Sequence, residues 1–226
     1  MDIKLAVFDV AGTTMDDKED SVAFAFQQAI QENGLKIDNR DIRWVMGYRK
    51  IEAIKMLMDH HDAQISDDEI LRIHDRFIEI LNNYYRTEEI KEFEGVSSLF
   101  RALKQAGIKV SINTGFSRST TDIIIDRLGW LKNGLIDFSV TSDEVEFGRP
   151  HPDMIEKIMS HFSIKSSKNV AKIGDTPSDL LEGKNAECGQ TIGVLYGTHS
   201  RSELDKYPHD SLVESVDELK KLLLNQ

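Results

Sequence analysis

The feature that most constrains this chain is an alternation that stops and then restarts. A short apolar run, "LAVF" (5–8), is followed by a long stretch with helical patterning only. From about Gly95 short apolar runs alternate with helical segments. The runs are "KVSINTG" (109–115), "FSVTSDEV" (138–145), "NVAKIGD" (169–175) and "TIGVLYG" (191–197). Between and before them stand "LFRALKQAG" (99–107), "STTDIIIDRLGW" (119–130), "MIEKIMSHF" (154–162) and "SDLLEGKNAECG" (178–189), and "DSLVES" and "VDELKKLLLNQ" close the chain. Strands that alternate with helices build right-handed βαβ units around a parallel sheet. The expected fold class is therefore α/β, with a Rossmann-like parallel-sheet core.

The interrupting stretch has the other period. "SVAFAFQQAIQENG" (21–34) spaces its apolar residues near 3.6 and stops at Asn33-Gly34. "KIEAIKMLMDHH" (50–61) and "SDDEILRIHDRFIEILNNYYR" (66–86) follow, the second opened by Ser66 as N-cap with Glu69 three residues on. Residues 16–92 are thus expected to form a small all-α cap inserted after the first strand, with 1–15 and 93–226 as the core. Such a cap would lie over the carboxyl edge of the sheet, where ligands bind in this architecture.

Bulk properties narrow the partners. The 226 residues are 40% hydrophobic and 30% charged, as in an ordinary globular protein. The formal net charge of −11 repels phosphate backbones, so nucleic acid is not an expected partner. An anionic ligand would need specific Arg and Lys residues to hold it. A single cysteine, Cys188, allows no internal disulfide and suits a reducing cytosol. No signal peptide and no run long enough to span a membrane is read, so a cytoplasmic location is expected.

Polar residues stand at four expected strand ends: Asp9 in "VFDVAGTT", Thr114 after "VSIN", Arg149 in "EFGRPHPD", and Asp175 with Asp179 in "KIGDTPSD". In a parallel sheet all carboxyl ends share one edge, so these distant residues can converge. The chemistry they suggest is phosphoryl transfer. A carboxylate such as Asp9 can be the nucleophile and form an acyl phosphate. Mg²⁺ held by Asp9 and Asp175 would neutralise charge on nucleophile and phosphoryl group. The Thr114 hydroxyl and the Arg149 charge would bind the remaining phosphoryl oxygens.

"FDVAGTT", "NTG", "GRPHPD" and "IGDTPSDLLEGKNA" resemble the four motifs of the haloacid dehalogenase superfamily of phosphotransferases, over essentially the whole chain. The resemblance implies a metal bound by Asp9, the backbone carbonyl of Ala11 and Asp175, with Asp179 supporting them. In that superfamily the residue two after the nucleophile is commonly Asp, the acid and base for an ester's leaving oxygen. Here it is Ala11, the form found in the phosphonatase branch, which cleaves a carbon–phosphorus bond. "MGYRKIEAI" (46–54) is similar to that branch's cap segment, and Lys50 stands where its lysine forms a Schiff base with the substrate aldehyde. "NTGFSR" resembles the branch's Thr-Gly-Tyr, with Phe116 for tyrosine. Gly47, Arg49, Gly115, Phe116 and Ala11 are accordingly expected around the substrate. A homodimer is also implied. A second position departs from the branch: Ala53 stands where it carries a proton-shuttling histidine, with Glu52 beside it.

Chemistry couples Ala11 to Lys50. An ester's leaving alkoxide needs a proton, whereas a phosphonate leaves a carbanion whose electrons an iminium on Lys50 would absorb as an enamine. Lys50 must then be partly neutral at pH 7, and burial with cationic Arg49 beside it could lower its pKa. The alternative is a phosphatase for a small phosphomonoester, with Arg49 and Lys50 as substrate-binding charges. A phospho-acceptor signalling module would need no 70-residue cap, and a dead binding protein would not retain Asp9, Thr114, Arg149 and Asp175 together. His60-His61 with Asp59 and Asp62 invites a metal, though a polar helix end is the simpler reading. Trp44, Met46, Met56 and Met58 suit cap core or pocket lining. Asp143 and Glu144 suit either a turn or a place near the metal.

Overall fold

A computed structural model describes residues 2–17 and 20–224. Met1 and the last two residues of the expected core lie outside the described residues, as do Lys18 and Glu19 of the expected cap. Six strands form one sheet: β1 (Leu5–Phe8), β4 (Lys109–Thr114), β5 (Phe138–Thr141), β6 (Val170–Gly174), β7 (Gln190–Val194) and β8 (Ser211–Val213). Their order is β5-β4-β1-β6-β7-β8, and every pairing is parallel. The α/β class and the inserted helical cap read from the sequence are both present.

Burial on both faces explains the apolar runs. Leu5 and Val7 pack with Val140, Met154, Ile155 and Ile158 on one face. Ala6 and Phe8 pack with Phe100, Leu103, Ile112 and Ile173 on the other. β1 is central, paired to β4 and β6, so Asp9 leaves the middle of the sheet at its carboxyl edge.

The cap contains α1 (Ser21–Glu32), α2 (Asn39–Trp44), α3 (Lys50–His60) and α4 (Asp67–Thr87). The rings of Phe26 and Phe77 lie 4.4 Å apart between α1 and α4. Ser66 and Glu69 form the expected reciprocal cap. Helix α2 was not expected, because its six residues bury only Ile42 and show no apolar period; Asp38 starts it by accepting from Arg40 N and Asp41 N. Where the chain enters and leaves the cap, β2 (Met15–Asp16) and β3 (Lys91–Glu92) pair antiparallel, a ribbon too short to read from pattern. On the core, α5 (Val96–Gln105), α6 (Arg118–Leu128), α7 (Asp153–His161), α8 (Pro177–Asn185), α9 (Arg201–Leu204) and α10 (Val216–Leu224) complete the order.

The open secondary readings resolve. His61 Nε2 lies 2.8 Å from Asp41 Oδ2 and the His60 ring packs 5.3 Å from Trp44, so both histidines tie α3 to α2. Asp143 accepts from Arg118 N at 3.0 Å and from Thr141 Oγ1 at 2.6 Å, which is a turn role. No helix among the described residues is long and apolar enough to cross a membrane.

Candidate active site

The turn after β1 is built to present Asp9. Thr14 N and Met15 N both donate to Val10 O, at 2.9 and 2.8 Å. Gly12 sits at φ +82, and a Cβ there would lie 2.3 Å from Asp175 Oδ2. Only glycine allows that approach of backbone to carboxylate. Asp175, at the end of β6, accepts from Thr13 Oγ1 at 2.9 Å and from Thr198 N at 2.7 Å. Burial, then the charge of Asp179, raise its pKa to about 6.

Behind Asp9 lies a buried charge network. Arg149 Nη1 is 2.7 Å from Asp9 Oδ1 and 2.9 Å from Asp179 Oδ1. Its Nε donates to Glu182 Oε2 at 3.0 Å, and Nη2 donates to Asn113 O and Oδ1 at 2.6 and 2.8 Å. Its guanidinium thereby donates four hydrogen bonds, and the contact to Asp179 is an ion pair. The side chain expected to grip the phosphoryl group instead grips its expected nucleophile. Lys172 Nζ stands 2.8 Å from Asp179 Oδ1, 3.2 Å from Glu182 Oε2 and 2.7 Å from Asn113 Oδ1. Asp179 also accepts from Thr176 Oγ1 at 2.6 Å, and its neighbouring cations hold its pKa below the usual carboxylate value despite burial.

Lys172, Glu182 and Asn113 were missed from the sequence. The available signal was a lysine inside a strand otherwise apolar on both faces, since charged residues are almost never fully buried unless paired. Burial pushes the Asp9 pKa up to about 7, opposed by Arg149 and raised further by Asp179.

Across the edge, Lys50 opens α3 and is only 5% exposed, not solvated as a lysine at a helix start usually is. Its Nζ lies 5.5 Å from the Phe26 ring centre and 5.2 Å from that of Phe116. Burial lowers its pKa to about 8, with Asp9 opposing and Arg149 assisting. The assisting cation is thus Arg149 of the core. Arg49 is engaged elsewhere: its guanidinium donates to Ser142 O, Val145 O and Glu146 O at the rim of the core.

Asp9, Ala11, Gly47, Lys50, Thr114, Gly115 and Phe116 line one cavity of about 20 Å³. Seven expected site residues therefore meet, from three separate parts of the sequence. Arg49, Arg149, Asp175 and Asp179 stand outside its lining. Thr114 Oγ1 accepts from Phe116 N at 3.2 Å, which leaves its hydroxyl proton to donate. Ala53 is fully buried, and Glu52 Oε1 lies 3.4 Å from Arg49 Nη1, so neither faces the cavity.

The chain matches the family model for haloacid dehalogenase-like hydrolases over residues 6–194. It is 32% identical over 232 residues to a phosphonoacetaldehyde hydrolase of Bacillus mycoides, covering 97% of this chain and 84% of that one. Among solved structures, a hydrolase from Pseudomonas syringae superposes with a TM-score of 0.88 at 21% identity, covering 98% of each chain. A phosphonoacetaldehyde hydrolase-like protein from Oleispira antarctica gives 0.85 at 22% identity, covering 100% of this chain and 92% of that one. With its glycine-bearing turn after β1, buried charge network and helical cap, this chain belongs to the haloacid dehalogenase-like hydrolase family, in its phosphonatase-like branch.

Proposed function

We propose that the enzyme is a Mg²⁺-dependent hydrolase of a small phosphonate of the phosphonoacetaldehyde type, acting through Asp9 and Lys50. One observation carries this reading. A buried lysine with its pKa lowered to about 8 shares a cavity with Asp9, at a site where Ala11 offers no acid. The curated relative named phosphonoacetaldehyde hydrolase supports the same chemistry.

The donor set fits a hard divalent cation. Carboxylate oxygens of Asp9, Asp175 and Asp179 lie within 4.8 Å of one another. Asp179 is occupied by Lys172, Arg149 and Thr176, which leaves Asp9 and Asp175, with the Ala11 carbonyl, as ligands. Four buried carboxylates (Asp9, Asp175, Asp179, Glu182) face three buried cations (Lys50, Arg149, Lys172), one positive charge short of balance, and burial raises the pKa of both Asp9 and Asp175. Mg²⁺ bound there would neutralise charge on the phosphoryl group and the nucleophile.

The chain's own residues then divide the work. Neutral Lys50 adds to the aldehyde carbonyl, and loss of water gives an iminium. Arg149 fixes Asp9 through Oδ1, so Oδ2 attacks phosphorus. The carbon–phosphorus bond breaks, and its electron pair runs into the iminium to give an enamine on Lys50. Thr114 donates a hydrogen bond from its hydroxyl to a phosphoryl oxygen. Protonation of the enamine carbon and hydrolysis of the imine release acetaldehyde, and water cleaves the acyl phosphate on Asp9. A cavity of about 20 Å³ holds about one water, so the cap must lift to admit substrate and then exclude solvent.

Phosphate release from phosphonoacetaldehyde, with and without Mg²⁺, tests the reading; no release under either condition contradicts it. A second reading is favoured by the buried Ala53 and the seam-bound Glu52, which provide no proton shuttle. It is a phosphatase for a small phosphomonoester, with Lys50 binding substrate charge, and it predicts ester turnover that survives Lys50→Ala.

A further inference from the structure

We propose that Arg49 is a positioning residue that latches the cap onto the core and so seats Lys50 beside Asp9. The proposal rests on Lys50 acting in the reaction above. Helix stability does not explain an arginine here. Arg49 is the N-cap of α3 and makes no side-chain capping bond. That position favours Ser, Thr, Asp or Asn, and a cation opposes the positive end of the helix dipole. A residue that breaks a local rule calls for a reason from elsewhere in the fold.

The reason lies across the seam. Arg49 Nη1 donates to Glu146 O at 3.0 Å, and Nη2 donates to Val145 O at 2.7 Å and to Ser142 O. All three carbonyls belong to the segment that follows β5 and leads to Arg149. Bonds from a cation to such acceptors are charge-assisted, and the side chain is only 18% exposed. Glu52, one turn on, balances the charge at 3.4 Å.

Three glycines let the two surfaces meet. A Cβ on Gly148 would lie 3.0 Å from Arg49 Cβ. One on Gly115 would lie 2.3 Å from Tyr48 O, and one on Gly47 would lie 2.2 Å from Ser178 Oγ. Residues 47–49 are thus pressed against two core loops and the start of α8, and Arg49 supplies charge-assisted bonds across that contact. Closure buries the Lys50 ammonium between Phe26 of the cap and Phe116 of the core, which costs desolvation. The bonds of Arg49 offset that cost one residue away.

Acylation of lysines by an amine-reactive ester, mapped by peptide mass spectrometry, tests this on the whole protein without any substrate. Lys91, with a side chain 66% exposed, is the internal reference. Arg49→Met keeps the stem but no donor, and Lys50 should react about tenfold faster relative to Lys91. Arg49→Lys restores one cationic donor and should fall between that variant and wild type. Gly148→Ala, crowding Arg49 from the core side, should change labelling in the same direction as Arg49→Met. Equal Lys50 labelling in Arg49→Met and wild type would overturn the latch, as would Arg49→Lys behaving like Arg49→Met. Borohydride trapping of wild type with phosphonoacetaldehyde separates the two claims: without an adduct the imine reading fails, while the labelling contrast stands or falls by itself.

Discussion

Asp9 Oδ1 and Arg149 Nη1 stand 2.7 Å apart, and the same guanidinium reaches Asp179, Glu182 and Asn113. The residue that holds the Asp9 carboxylate in place is therefore also a main support of the buried network. Removing it leaves Asp179 and Glu182 paired only to Lys172, and Asp9 without its ion-pair partner. Arg149→Ala should lose about 3–5 kcal/mol of stability in urea unfolding, because breaking a buried pair strands its partners. Arg149→Lys keeps the charge without the planar fork, and should retain more of the fold than of the turnover number.

Lys172 has no contact with the cavity, yet it should matter nearly as much. Its charge lowers the pKa of Asp9 and stabilises Asp179. Lys172→Met should cost about 3 kcal/mol or more. It should also move the acid limb of the kcat/KM profile to higher pH, since Asp9 then ionises less readily. An unchanged acid limb would place Lys172 in a packing role alone.

Much of this arrangement was legible because it obeys simple periods. Buried strands read as apolar runs, the long cap helices as 3.6-residue patterns, and Asp9, Thr114 and Asp175 as polar residues at strand ends. The convergence of Asp9 with Lys50, about 40 residues on, came from motif resemblance, since no local pattern records which cap residue meets which strand end. Helix α2 and the β2–β3 ribbon escaped because segments of six and two residues carry no period. Lys172 and Glu182 escaped because pairing, not spacing, is what makes a buried charge tolerable. Arg49 was assigned to the substrate because charge beside Lys50 suggested it; only the fold shows its guanidinium spent on carbonyls of the 142–146 segment.

Gly115 gives a separate test of cap seating. A Cβ there would meet two backbone oxygens, Tyr48 O at 2.3 Å and Gly47 O at 2.7 Å, and neither can rotate away. Gly115→Ala should weaken closure by about 1–3 kcal/mol. The change should raise KM strongly and leave the thermal unfolding of the core nearly unaltered. An unchanged KM would mean that the closed cap is not the form that binds substrate.

The lowered pKa of Lys50 makes a signed prediction about pH. The folded protein releases this proton near pH 8, and the unfolded chain near the ordinary 10.5. Between those values the unfolded state binds more protons, so this group's contribution makes stability rise with pH across the window. Lys50→Met should remove that rise in urea unfolding followed from pH 8 to 10.5. Imine formation requires the neutral amine, so its yield should climb with a midpoint near pH 8.

The most direct test treats the Mg²⁺-loaded enzyme with phosphonoacetaldehyde and borohydride and maps the product by peptide mass spectrometry. The predicted result is a reduced adduct on Lys50 and loss of activity. Lys50→Arg should show no adduct, and Asp9→Asn should form the adduct but release phosphate at least about 10³-fold more slowly. Wild-type enzyme that releases phosphate from phosphonoacetaldehyde with Lys50 unmodified would contradict the account.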